Sequence, residues 1–266
     1  MAIDLKKYEQ QKEDIKIDLK KKGIDKPPII RLGATFDLSG STREAFRAGH
    51  YEIMTERVTA VAGVLDDNGQ MEMFGYSDEA ARFKDAEINN YGKYVHDNIL
   101  SDRHGLDMWH GTFFHEGMSL VLEHYFGDGV DAPEEEVAAS THGLMGRLKG
   151  FFGKKEETAA EESNEGDPNA PVFMMFLTDG EDSSPAATDR VLAASQNKPI
   201  LWVMIGVDLN GSGRSALRDL DRKWPNVTFV DVPLTGISDA ELYDKLFTDK
   251  AVKFLLKASK ASHAGA

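Results

Sequence analysis

The chain has 266 residues, 45 acidic and 31 basic, for a formal net charge of −14. That balance excludes a general polyanion binder, whose phosphate contacts need a surplus of Lys and Arg, so no nucleic-acid partner is expected. Cysteine is absent, which removes disulfides, zinc–thiolate sites and thiol chemistry.

Residues 1–26 carry eight Lys and six acidic residues and read as a charged N-terminal extension. It has no signal-peptide core, and no apolar run approaches the ~20 residues that span a bilayer. The expected location is therefore cytoplasmic. Ile15, Ile17 and Leu19 alternate with charged residues, a period that predicts an extended segment with one covered face. Met1–Gln11 before it reads as frayed or weakly helical. Pro27 and Pro28 then mark the start of a domain expected to run over 27–258, with a tail at 259–266.

Ile29–Asp37 predicts a buried strand ending in polar residues. Apolar residues from Ala45 and Phe46 through Ile53, Met54, Val58, Val61 and Leu65 predict one long helix over 44–65. Asp66–Gly69 is a turn, Gln70–Tyr76 the next strand, and Ala81–Phe83 a short edge strand. Helical patterns follow at 91–100 and 113–125. Val172–Leu177 is continuously apolar, as a strand buried on both faces should be. Ser184-Pro185 predicts an N-cap and first helical position for a helix to Ser195. Ile200–Val207 is a second buried strand, 215–223 a short helix, Val227–Val232 a strand, and 238–257 a final single helix. Alternating strands and helices predict an α/β fold, a doubly wound, mainly parallel sheet with helices on both faces.

Residues 131–170 hold ten acidic and four basic residues, a composition that favours a disordered surface insertion. Inside it, Leu144, Met145, Leu148, Phe151 and Phe152 follow helical spacing beside Arg147, Lys149, Lys154 and Lys155. This 143–155 island is a candidate interaction motif or weak membrane-surface contact. Its four glycines weigh against a stable isolated helix.

In doubly wound sheets, ligands sit beyond the carboxyl ends of the strands. Asp37, Ser39 and Ser41 follow the first strand at a spacing of two, so an extended segment points all three one way. One carboxylate and two hydroxyls are hard oxygen ligands that suit Mg²⁺. Asp179, in Thr178-Asp179-Gly180 after a buried strand, supplies a second carboxylate, and Thr112 in His110-Gly111-Thr112 another hydroxyl. Glu181 and Asp182 extend the acidic edge. His110 and Glu181 are candidate rim residues for a partner. His104, His110 and His115 lack the spacing of a helical zinc site and read as exposed or capping histidines.

Asp37-x-Ser39-x-Ser41, Thr112 and Asp179 resemble, in order and type, the metal-ion-dependent adhesion site of von Willebrand factor type A domains. The resemblance implies that the two Ser and the Thr contact the ion, with Asp179 acting through water. Three further stretches, Val64–Gly75, Val203–Asp208 and Ile237–Tyr243, are similar to the intracellular branch of tellurite-resistance and stress-response (TerF-like) proteins, related to copines. Thr42 and His110 depart from that pattern, where Met and Gly are common, but neither is a ligand. The resemblance implies a non-enzymatic module that holds Mg²⁺ (or Mn²⁺ or Ca²⁺) and binds an Asp or Glu of a partner protein, in a bacterial stress or tellurite-resistance setting. Two alternatives stand beside it: a Mg²⁺-dependent phosphohydrolase using Asp37, and a metal-independent scaffold acting through 144–155. Against other enzyme classes, the chain has no Gly-rich Lys-Ser/Thr phosphate loop and no Gly-x-Ser-x-Gly elbow.

Overall fold

The computed structural model describes residues 5–66, 68–101, 105–127 and 170–264, with side chains described to residue 260. Leu144, Met145, Leu148, Phe151, Phe152, His104 and the 131–169 part of the acidic stretch lie outside them.

Six strands form one sheet: β1 Arg31–Asp37, β2 Glu72–Tyr76, β3 Ala80–Arg82, β4 Val172–Thr178, β5 Ile200–Val207 and β6 Val227–Val232. Their order is β3-β2-β1-β4-β5-β6, parallel throughout except for the antiparallel edge strand β3. Helices α1 Leu5–Lys21, α2 Arg43–Arg47, α3 His50–Leu65, α4 Phe114–Phe126, α5 Pro185–Ser195, α6 Gly211–Lys223, α7 Asp239–Leu246 and α8 Asp249–Ala264 complete the described chain. The fold is a doubly wound α/β domain.

Alternation along the strands divides the core in two. Leu32, Ala34, Phe36, Phe173, Met175, Leu177, Val203 and Ile205 point to one face, where Val58, Leu242 and Leu255 of the helices meet them. Phe74, Tyr76, Met174, Phe176, Trp202 and Met204 point to the other, against Met118, Val191 and Leu217. Because both faces are covered, β4 and β5 are buried along their whole length, which is why their sequences carry no polar alternation.

Four local expectations are corrected. Residues 13–19 are not extended but belong to α1, which packs on α3 and α7. Tyr8, Gln11, Ile15 and Leu19 form its buried stripe, while Ile17 faces solvent. The 44–65 helix is broken at Gly49, whose φ of +79° is left-handed backbone that glycine adopts without a Cβ clash. The 91–100 segment is a π-type turn over Val95–Ile99, preceded by a 3₁₀ turn over Ile88–Asn90. The final helix divides into α7 and α8, because Phe247 leaves helical geometry and buries its ring. Thr248 then accepts the Ala251 N–H at 3.2 Å and restarts the helix.

Candidate metal-binding site

The strand order runs outward in opposite directions from β1 and β4, so the crevice between their carboxyl ends is the topological switch point. Register pairs Phe36 with Leu177, which brings Asp37 beside Thr178. Asp37 is fully buried. Its Oδ1 accepts the Ser39 N–H at 2.9 Å and its Oδ2 the Thr178 hydroxyl at 2.7 Å. Above it, the Ser39 and Ser41 hydroxyls lie 3.0 Å apart, and Ser41 donates to Asp179 Oδ1 at 2.8 Å. The loop that displays these groups is tied from below, since Thr42 Oγ1 contacts the carbonyls of Asp37 and Ser39 at 3.0 Å each. Thr42, a departure at sequence level, thus braces the loop from a fully buried position.

Thr112 comes from a second loop. The Trp109 N–H donates to the Leu38 carbonyl at 2.7 Å, and the Gly40 N–H to the His110 carbonyl at 3.0 Å. A Cβ on Gly40 would meet the Trp109 carbonyl at 3.3 Å, so glycine permits this approach. Trp109 itself holds a φ of +77°, strained for a bulky residue. A Cβ on Gly180 would lie 3.8 Å from the Thr112 hydroxyl, which places that hydroxyl beside the Asp179-Gly180 turn. The structure thus places Asp37, Ser39, Ser41, Thr112 and Asp179 along one edge of the sheet.

The electrostatics favour a cation there. Burial pushes the Asp37 carboxyl up to about 6, with Asp179 raising it further against the lowering effect of hydrogen bonds from Ser39 and Thr178. Burial also raises Asp179, opposed by Ser41, while Asp208 at the end of β5 adds repulsion. No basic side chain is among the groups that shift either carboxylate. Below them the Tyr51 hydroxyl is buried with no hydrogen-bond partner, its proton held more tightly by burial and by Asp37, Asp179 and Asp208. Among the described residues no three His, Asp or Glu side chains converge as a cage. The candidate set is instead two carboxylates and three hydroxyls. An octahedral Mg²⁺ with oxygens at ~2.1 Å has neighbouring ligand oxygens roughly 3 Å apart. The Ser39–Ser41 separation of 3.0 Å matches that edge, and Asp179, 2.8 Å from Ser41, lies one hydrogen bond beyond it. These residues fit a hard divalent ion.

At the rim, the His110 side chain is exposed and meets Asp107 at 3.1 Å, a contact that raises its pKa. Glu181 is also exposed and accepts from the Ser212 hydroxyl. His115 lies apart from His110, buried, with Nε2 3.4 Å from Glu116. Sequence reasoning assigned no role to Thr178, Ser77 or Asp182 as supports. Ser77 accepts the His110 N–H at 3.0 Å and contacts the Gly111 carbonyl at 3.2 Å. Asp182 does more than extend the acidic edge: its Oδ1 accepts the N–H groups of Phe114 at 3.2 Å and Ser184 at 3.1 Å. Thr178 alone had a readable signal, as the last residue of a buried strand neighbouring Asp37.

Residues 29–263 match the family described as the vWA domain found in the C terminus of TerF. The chain belongs to the TerF-like von Willebrand factor type A family. This vWA domain is 28 % identical over 256 residues to the uncharacterised protein YcbR of Bacillus subtilis strain 168, covering 94 % of the chain and 86 % of YcbR. It is also similar to proximal thread matrix protein 1 of the mussel byssus (13 % identity, TM-score 0.48, 86 % of this chain and 48 % of that one). A von Willebrand factor type A protein from Catenulispora acidiphila matches at 14 % identity and a TM-score of 0.44, over 88 % of this chain and 43 % of that one. The chain thus spans about half the length of these solved structures.

Proposed function

We propose that this vWA domain is a metal-dependent protein-recognition module rather than an enzyme. The observation that carries the reading is the Ser39–Ser41–Asp179 oxygen network over a fully buried Asp37, whose charge no basic side chain among the described residues is seen to offset. Asp37, Ser39, Ser41 and Thr112 would hold Mg²⁺, with Asp179 in support through water; Mn²⁺ and Ca²⁺ are the competing ions. When bound, the ion supplies an electrophilic position that a partner's Asp or Glu can fill. The chain's own part is positional. Ser39 N–H and Thr178 orient the Asp37 carboxylate, Thr42 fixes the loop, and Ser41 orients Asp179. His110 and Glu181 stand at the rim where a partner's flanking residues would meet the domain. The TerF family name supports a bacterial cytoplasmic stress or tellurite-resistance setting for that partner. Attack by Asp37 on a phosphate ester is the less favoured reading, because aspartyl phosphotransferases of the haloacid-dehalogenase pattern carry a second Asp two residues after the nucleophile, where this chain has Ser39.

Calorimetric titration of Mg²⁺, Mn²⁺ and Ca²⁺ into metal-stripped protein, with Asp37→Ala as control, tests the reading. A one-site isotherm lost in the variant is expected, and partner capture should disappear in EDTA. Partner affinity unchanged in Asp37→Ala or in EDTA would overturn it. Turnover of p-nitrophenyl phosphate that vanishes in Asp37→Asn would restore the hydrolase reading.

A further inference from the structure

The candidate ligands arrive on separate segments, and only some are joined by side chains. Ser39, Ser41 and Asp179 form a hydroxyl–carboxylate chain, and Asp37 is bound to Thr178. Thr112 is instead located through the backbone around it. The Ser183 N–H donates to the Thr112 carbonyl at 2.7 Å. One residue earlier, Asp182 Oδ1 accepts the N–H of Phe114, the first residue of α4, and also the N–H of Ser184, the residue before α5. The loop after β4 therefore grips the segment 112–114 at two points, and Asp182 is the only side chain of the two. A carboxylate accepting N–H groups at two helix starts is held on both sides, since those N–H groups have no partners within their own helices.

We propose that Asp182 is a positioning residue of the metal site: by clamping the start of α4 to the loop after β4, it sets the place of Thr112 relative to Asp179. This inference rests on the metal-site reading above. Outer groups that orient metal ligands typically change affinity about 10- to 100-fold when removed. Asp182→Ala should therefore weaken Mg²⁺ binding at least about ten-fold. Asp182→Asn keeps an Oδ1 acceptor for both N–H groups and should restore most of the affinity.

A double-mutant cycle separates positioning from general destabilisation. Mg²⁺ affinity is measured calorimetrically, at a temperature well below each unfolding midpoint, for wild type, Asp182→Ala, Asp182→Asn, Thr112→Ala and the Thr112→Ala/Asp182→Ala double variant. If Asp182 acts through Thr112, removing it costs affinity in the wild-type background and almost nothing once Thr112 is gone. An equal loss in both backgrounds, or no loss in Asp182→Ala while Asp37→Ala abolishes binding, overturns the inference and leaves the metal reading intact. Absence of Mg²⁺ binding by wild type overturns both.

Discussion

Replacing Asp37 by Asn should stabilise the metal-free protein while destroying its site. The Asp37 carboxyl is fully buried, and its pKa is pushed from 3.8 to about 6. The folded state thus holds the proton more tightly than the unfolded chain. The cost of the charge is absent below about 3.8, grows between 3.8 and about 6, and is complete above 6. Two pKa units at ~1.36 kcal/mol each set that cost at up to about 3 kcal/mol. Asn keeps an acceptor for the Ser39 N–H and offers a donor to the Thr178 hydroxyl, so the neutral side chain fits the same contacts. In EDTA at pH 7, Asp37→Asn should raise the unfolding midpoint by roughly 6–12 °C, a difference that shrinks to nothing near pH 3.8. Mg²⁺ at about a thousand times its Kd should reverse the ranking, because wild type alone then gains about 4.1 kcal/mol. Calorimetric or circular-dichroism melts at pH 4, 5, 6 and 7, with and without Mg²⁺, measure both effects. A variant less stable than wild type in EDTA at pH 7 would refute the buried-charge argument.

Two further outcomes test the scaffold. Leu19→Ala, at a fully buried position of α1, should cost about 2–4 kcal/mol in urea unfolding, whereas Ile17→Ala on the exposed side should change little. Ser195→Ala removes the acceptor for Trp202 Nε1 at 3.1 Å and a partner of Asn226 at 3.0 Å. It should destabilise by about 1–3 kcal/mol without altering Mg²⁺ affinity.

The strands were legible because burial on both faces leaves an unbroken apolar signature, as in Val172–Leu177 and Ile200–Val207. Helix α1 is hidden in the sequence for a physical reason. Its buried stripe includes the polar Gln11, which is hydrogen-bonded to Asp239 at 2.8 Å and Tyr91 at 2.6 Å, so hydropathy does not mark that position. The exposed Ile17 meanwhile supplies a false period of two. The breaks at Gly49 and Phe247 depend on a backbone angle and a tertiary pocket, and neither alters the apolar pattern along the chain. At the site, spacing reveals which oxygens share an edge. It does not reveal supports such as Asp182, whose partners are backbone groups of elements distant in sequence.

The fold also separates two kinds of change. Gly127 closes α4 at the end remote from the metal edge, where His124 meets Glu72 at the start of β2. The carbonyl of Pro171 accepts the Arg31 N–H at the start of β1. Gly127 and Pro171 therefore both lie at the pole of the sheet opposite the metal edge. A substitution at Gly127 or Pro171 thus acts at the foot of the sheet, whereas one in the loops after β1 and β4 acts at the metal edge.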